Sequence, residues 1–235
     1  MKQFAVIVAG GSGTRMGGGL PKQFRPLCGY PVLWWSIKRF HEENPDTEII
    51  IVLPSDFIKE WEDFCLNLPF DKRISHSVVA GGCSRTDSVK NGLRQVESLV
   101  SSTNENKKDS LVAIHDGARP LLTKEMISKG WDVAEKNGAA IPVVPVTDSL
   151  REKNGQESKA VDRGKYVAVQ TPQVFNVSII TESYKRSEGQ AFTDDATAVE
   201  NAGYKVSLFD GSPLNIKITN PKDLEIAAVL MGKDA

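Results

Sequence analysis

Residues 9–23 read Ala-Gly-Gly-Ser-Gly-Thr-Arg-Met-Gly-Gly-Gly-Leu-Pro-Lys-Gln, a glycine-rich run with two cations, Arg15 and Lys22, seven residues apart. Glycines let a backbone approach a ligand closely and turn successive N–H groups toward one anion. Arginine adds a planar fork of donors, lysine a compact charge on a flexible stem. Folded around a polyphosphate, the two side chains could meet one phosphoryl group from different directions. Two common phosphate loops do not fit. No Gly-Lys pair completes a P-loop, and a G-x-G-x-x-G pattern begun at Gly11 and Gly13 meets Met16 at its third glycine position. The bland alternative is a surface loop with two solvated bases. The order of strand, glycines, Arg, Pro-Lys-Gln and helix favours the phosphate loop.

The elements that must hold this loop are legible around it. Phe4–Ala9 has the apolar run of a buried first strand, so the loop leaves its carboxyl end, where open α/β sheets bind ligands. The pattern predicts a helix opened by Pro31, a strand over Glu48–Leu53, and a helix capped by Ser55 or Asp56. A strand over Ile74–Val79, a helix over Ser84–Val100 and a strand over Ser110–His115 follow. Next come a helix over Thr123–Lys136 and a strand over Ala139–Val144. Strands alternating with helices imply crossovers, and so an α/β fold with a mostly parallel sheet covered on both faces. Ser101–Asp109 reads as a polar surface loop. Asn154-Gly155 is a hairpin turn signal between Thr147–Lys153 and Ser158–Arg163, giving a hairpin that could project from the body. Beyond it are an extended run at Tyr166–Gln170, a helix near Val177–Arg186 and a helix capped by the Thr193 hydroxyl. A strand at Lys205–Phe209 precedes a last helix with Asn220 at the cap and Pro221 first. One domain over 1–235 with an excursion at about 147–165 is the economical organisation.

The 235 residues carry 29 Lys+Arg against 30 Asp+Glu, a formal charge of −1, which argues against a protein that coats nucleic acid. Cys28, Cys65 and Cys83 form no C-x-x-C, so neither a disulfide framework nor a structural zinc site is expected, and a reducing cytoplasm fits. No apolar run reaches the ~20 residues that span a bilayer, and no membrane partner is expected.

The motifs resemble those of the sugar-phosphate nucleotidyltransferases, and in particular the 2-C-methyl-D-erythritol 4-phosphate cytidylyltransferase family. Besides the opening Ala9–Gln23 signature, these are Gly81–Val89 (GGCSRTDSV), His115–Pro120 (HDGARP), Val161-Asp162-Arg163 and Gln170–Gln173 (QTPQ). Thr193–Glu200 (TDDATAVE) and Asn215–Thr219 (NIKIT) complete the set. The resemblance implies a Rossmann-like sheet, CTP and methylerythritol phosphate as substrates, and a divalent cation, Mg²⁺. Arg15 and Lys22 would contact the CTP phosphates and stabilise the transition state. Ala9, Gly10, Gly11 and Gly13, with Gly82, Arg85 and Ser88, would surround the nucleotide. Asp116 would help hold the metal, beside Ala118 and Arg119. Arg163 and Lys217 would position the methylerythritol phosphate, with Ser149, Thr171 and Thr193 around it. The family often has Thr at the position of Ser149. The hairpin would be a dimer arm that carries substrate-site residues to a partner subunit. Ribitol-5-phosphate cytidylyltransferases share the first half of the pattern and are the second choice. A non-catalytic nucleotide sensor is the alternative of another class, disfavoured by the retained Arg15 and Lys22.

The chemistry needs such residues. A phosphate monoester has its second pKa near ~6, so the attacking oxygen is already anionic and no general base is required. The obstacle is one polyanion approaching another. Charge neutralisation and in-line placement must therefore supply the acceleration, which calls for Arg, Lys and Mg²⁺. Plainer roles exist for several candidates. Asp116 could cap a turn, His115 complete a strand, Arg163 and Lys217 be surface bases, and Ser88 a helix hydroxyl. Trp34, Trp35, Trp61 and Trp131 read as packing residues.

Overall fold

The computed structural model describes residues 1–10, 20–103, 106–187 and 189–232, so Gly11, Gly13 and Arg15 lie outside the described residues. In chain order the elements are β1 (Lys2–Val8), a 3-10 turn (Lys22–Phe24), β2 (Pro26–Leu27), β3 (Tyr30–Pro31), α1 (Val32–Glu43) and β4 (Glu48–Leu53). Then follow α2 (Ile58–Asn67), β5 (Ser77–Ala80), α3 (Arg85–Ser102), β6 (Ser110–Asp116), α4 (Lys124–Asn137) and β7 (Ala139–Pro145). The last third holds β8 (Arg151–Asn154), β9 (Glu157–Ala160), β10 (Val167–Val169), β11 (Gln173–Asn176), α5 (Val177–Arg186), α6 (Asp195–Asn201), β12 (Ser207–Asp210) and α7 (Pro221–Met231).

Alternation along the central strands builds two cores. Ala5 and Ile7 of β1 face one side, with Ile49 and Ile51 of β4, against Leu33, Ile37 and Phe40 of α1 and Met126 and Trp131 of α4. Phe4 and Val6 face the other, with Ile50 and Val52, against Val89, Leu93 and Val96 of α3 and Ile180 and Tyr184 of α5. Because side chains alternate at each residue, both faces of these strands must be apolar, which explains the continuous run EIIIVL in β4. The fold is α/β, as the alternation predicts.

The main sheet runs β10-β7-β11-β6-β1-β4-β5, with β12 beside β7. The β1 pairings to β4 and β6, and the β4–β5 and β7–β12 pairings, are parallel. After β1 the chain crosses to β4, and after β5 it returns to the opposite side of β1 as β6. The strand order therefore reverses between β1 and β6, and a crevice opens there at their carboxyl ends.

Several expectations change. The antiparallel strand β11, wedged between β6 and β7, was not anticipated; QVFN is short, with polar ends, and only its place in the sheet makes it a strand. Neither Ser55 nor Asp56 caps α2: Phe57 holds the cap position and no side chain bonds there. At α6 the cap is Asp194 rather than Thr193, its carboxylate accepting from the Thr197 N–H. Ser101 and Ser102 extend α3 into the expected loop, and Lys107–Asp109 forms a 3-10 turn capped by Asn106. In the hairpin, Asn154 pairs with Glu157, so Gly155 and Gln156 make the turn, one residue later than the Asn-Gly signal implies. Gly155 has φ +60°, which a two-residue connection with glycine first requires. All eight residues of β8 and β9 are exposed.

Candidate active site

Five chain segments meet at the crevice, around residues 8–10, 22–23, 82–88, 116–118 and 217. The β1–β6 register sets Asp116 beside Val8, and the Gly117 N–H donates to the Val8 carbonyl at 2.9 Å. The buried Gln23 side chain donates to the Ala9 carbonyl at 2.5 Å, tying the exit of the glycine-rich loop to its entry. On the far side α3 begins with a capping box: the Ser84 hydroxyl accepts from the Asp87 N–H, and the Asp87 carboxylate accepts from the Ser84 N–H. A β-carbon on Gly82 would lie 2.3 Å from that of Asp87, so the backbone passes there only as glycine. The Ser88 hydroxyl donates to the Ser84 carbonyl at 2.9 Å and accepts from the Gly82 N–H at 3.1 Å, fastening the loop before the helix to its first turn.

Between these walls lies a cavity of about 380 Å³. Of the residues anticipated from the sequence, Ala9, Gly10, Lys22, Gly82, Arg85, Ser88, Asp116, Ala118 and Lys217 line it together, with Gln23, Cys83 and Ser84.

Its electrostatic centre is Asp116. Lys217 Nζ lies 2.9 Å and Arg119 Nε 3.4 Å from Oδ2, with Arg85 Nε 3.9 Å from Oδ1. Burial alone would raise the pKa of this carboxyl, but the Lys217, Arg85 and Arg119 charges outweigh it and hold the group well below the usual carboxylate range. Asp116 is an anion at every physiological pH. Arg85 is held from behind by the fully buried Asp195, its two terminal nitrogens at 3.0 and 2.6 Å from the two carboxylate oxygens. The Tyr184 hydroxyl donates to Asp195 Oδ1 at 2.6 Å. Gln173 Oε1 accepts from the Asp195 and Ala196 N–H groups, which fixes the start of α6. Asp195, Gln173 and Gln23 stand inside the motifs TDDATAVE, TPQ and PKQ without a role of their own in the sequence reading. Tyr184 has no sequence signal, because only the packing of α5 on α6 brings it to Asp195.

The family model for 2-C-methyl-D-erythritol 4-phosphate cytidylyltransferase matches residues 3–233. The chain belongs to that cytidylyltransferase family.

Relatives named as this cytidylyltransferase agree over the full length. That of Phocaeicola vulgatus is 42% identical over 231 residues, covering 98% of this chain and 100% of the relative. That of Porphyromonas gingivalis is 43% identical over 232 residues, covering 98% of each. Among solved structures, the cytidylyltransferase of Thermus thermophilus superposes with a TM-score of 0.74 at 29% identity, covering 98% of each chain. The 4-diphosphocytidyl-2C-methyl-D-erythritol synthase of Anaerococcus prevotii gives 0.79 at 25% identity, covering 98% of this chain and 96% of its own. These names support the methylerythritol branch over ribitol phosphate and over a sensor.

Other residues anticipated for this cytidylyltransferase stand away from the cavity wall. Arg119 lies behind Asp116, its Nη1 donating to the Asn215 carbonyl at 2.7 Å. Thr171 is buried, its hydroxyl accepting from the Asp116 N–H at 3.1 Å. Thr193 is exposed just ahead of the α6 cap. Ser149 and Arg163 are exposed at the base of the hairpin, where Arg163 Nη1 donates to the Thr147 carbonyl. His115 is fully buried, and burial, aided by Arg119 and Lys217, pushes its pKa down to about 4 despite Asp116. No helix of the described residues is long and apolar enough to cross a membrane.

Proposed function

We propose that the protein transfers the cytidylyl group of CTP to the phosphate oxygen of 2-C-methyl-D-erythritol 4-phosphate, giving the diphosphocytidyl alcohol and diphosphate. The observation that supports this most is the cluster of Lys22, Arg85 and Lys217 around one cavity, with Asp116 as its ionised centre. Two polyanions need fixed cations to meet, and here those cations are set at a strand-order reversal before any ligand arrives. The backbone at Ala9, Gly10 and Gly82, with Ser88, would border the nucleotide, and Gly11, Gly13 and Arg15 would continue that wall. Arg85, its terminal nitrogens committed to Asp195, would act as a rigid edge of the base pocket. Lys22 and Arg15 would neutralise the triphosphate as charge passes to the leaving diphosphate.

Lys217 is the most accessible of the three cations on Asp116, its side chain 40% exposed against 25% for Arg85 and 12% for Arg119. It would turn from Asp116 to the incoming phosphate monoester. Arg163, Ser149 and Thr193 would frame the methylerythritol, with Arg163 and Ser149 delivered from a partner's arm, while the buried Thr171 would act from behind through Asp116. The hairpin supports this arrangement: two strands with every residue exposed are marginal alone and gain stability when covered. We read the chain as one nucleotidyltransferase domain, with the arm at about 147–165, working as a cytoplasmic homodimer.

Magnesium fits Asp116 in one way. No group of three or more His, Cys, Asp or Glu that could hold a metal is present among the described residues. A lone hard carboxylate suits an ion that takes most of its ligands from phosphate oxygens and water. When bound, Mg²⁺ would supply charge neutralisation on the triphosphate, with Asp116 as its protein ligand.

The test is diphosphate release from each of the four nucleoside triphosphates, with methylerythritol phosphate or ribitol 5-phosphate and Mg²⁺. Release confined to CTP with methylerythritol phosphate supports the proposal. Equal or faster release with ribitol phosphate reassigns the substrate, and no release with any pair favours a sensor.

A further inference from the structure

We propose that His115 is a positioning residue for cytidylyl transfer, setting Asp116 and Arg119 through a hydrogen bond at each ring nitrogen. The inference rests on the reaction proposed above, and its geometry follows from proton counting. Thr171 Oγ1 lies 3.1 Å from the Asp116 backbone nitrogen and 3.1 Å from His115 Nδ1. Asp116 N–H can only donate, so the hydroxyl oxygen accepts from it, and the single hydroxyl proton is free to go to His115. Nδ1 then accepts, and the ring proton sits on Nε2, which lies 3.3 Å from the Arg119 carbonyl and donates to it. The opposite tautomer leaves the Thr171 proton without an acceptor among the described residues and points a ring lone pair at a carbonyl. Only one protonation pattern therefore satisfies every group, running from Asp116 N–H through Thr171 and His115 to the Arg119 carbonyl.

The two ends of that chain are the two ends of one turn. The Arg119 N–H donates to the Asp116 carbonyl at 3.0 Å, and the Ser36 hydroxyl shares the Arg119 carbonyl at 3.3 Å. The ring of His115 thus braces the turn from beneath. It fixes the direction in which the Asp116 carboxylate and the Arg119 guanidinium leave the backbone. Phe40 meets the ring edge to face, at 5.7 Å between centroids, and keeps it from rotating. A histidine serving only to fill the core would need no such order of donors, since Phe or Leu fills the same space.

Four variants and one spectrum test this. His115→Phe keeps the volume and removes both bonds. We expect kcat to fall about tenfold, with KM for both substrates changed less than about twofold, because a misaimed turn lowers the population of aligned complexes rather than their binding. His115→Asn places an acceptor near Nδ1 and should recover kcat to within about threefold of wild type. Thr171→Val should also lower kcat, and the double variant His115→Phe/Thr171→Val should be no slower than its slower parent, as expected for one chain of bonds. Nitrogen NMR of the wild-type protein should show Nδ1 unprotonated and Nε2 protonated. The proposal is overturned by wild-type kcat in His115→Phe, by losses that multiply in the double variant, or by a proton on Nδ1. If the phenylalanine variant does not fold, the Asn variant and the spectrum still decide it. A wild-type protein that turns over no substrate pair would sink the reaction, whereas the spectrum would still report whether the chain of bonds exists.

Discussion

Asp116 shows how a side chain acquires a role from its neighbours. A carboxylate at a strand end can cap a turn, and its sequence context alone leaves that open. Ringed by Lys217, Arg119 and Arg85, it is instead the fixed anion that holds three cations in order. Lys22 is the described loop cation on the cavity wall, and Lys22→Ala should lower kcat by ~10²–10³, the usual cost of losing one preorganised charge contact. Steady-state diphosphate release measures this, and a rate close to wild type would remove Lys22 from the mechanism. The buried histidine gives a second outcome. With a folded pKa of about 4, His115 binds less proton in the folded state than in the unfolded chain between about pH 4 and 6.5. Stability is therefore full above the unfolded value and falls as pH drops through that window, by about 2 kcal/mol between pH 7 and 5. His76, also lowered chiefly by burial, adds in the same direction. Below about pH 4 the depressed Asp116 carboxyl adds its own loss, since its contribution is present above the ordinary carboxylate range and disappears on acidification. Urea unfolding at pH 7 and pH 5 reads the first effect. An unchanged midpoint would mean that His115 is not buried and neutral.

The elements that carry these side chains were largely legible. The EIIIVL strand appears with the predicted limits, and α3 begins within one residue of its expected start, with Ser84 as the cap rather than the first helical residue. Local rules sufficed there because capping and alternation act over a few residues. They failed where geometry is set from outside: β11 exists because β6 and β7 leave a gap for it, and the α6 cap moves to Asp194 because Gln173 grips the next two N–H groups. The α3 entry offers a test. Gly82→Ala would drive a β-carbon to 2.3 Å from that of Asp87, breaking the capping box that shapes the cavity wall. We expect a loss of about 1–3 kcal/mol, the usual range for overpacking, together with a raised KM for CTP. Calorimetry and initial rates check this, and wild-type values in both would show that the loop yields without consequence.

The sheet of the whole molecule brings residues from both halves of the chain to one crevice, but the hairpin stands off from it. All eight residues of its two strands are exposed, and an uncovered two-stranded hairpin is marginal by itself. If the hairpin is the proposed dimer arm, light scattering should find a dimer for the full chain and a monomer once residues 151–160 are replaced by a two-residue turn. The replacement should also cost more than about tenfold in kcat/KM for methylerythritol phosphate, if positioning residues come from the partner. A shortened protein that remains a dimer with full activity would place the subunit contact elsewhere.

What the sequence determined by itself is the chemistry on offer: a glycine-rich loop with two cations after a buried strand, the α/β alternation, and a set of ordered motifs that fixes the family. Those signals are local, each contained in a stretch of about ten residues, where spacing and residue type act directly on the backbone. The tertiary structure alone decided which charges meet. Arg85, Asp116, Asp195 and Lys217 are scattered over more than a hundred residues, and only the strand-order reversal between β1 and β6 brings them within reach of one another. Electrostatic coupling depends on distance in space and on burial. Neither quantity is written in the order of the residues.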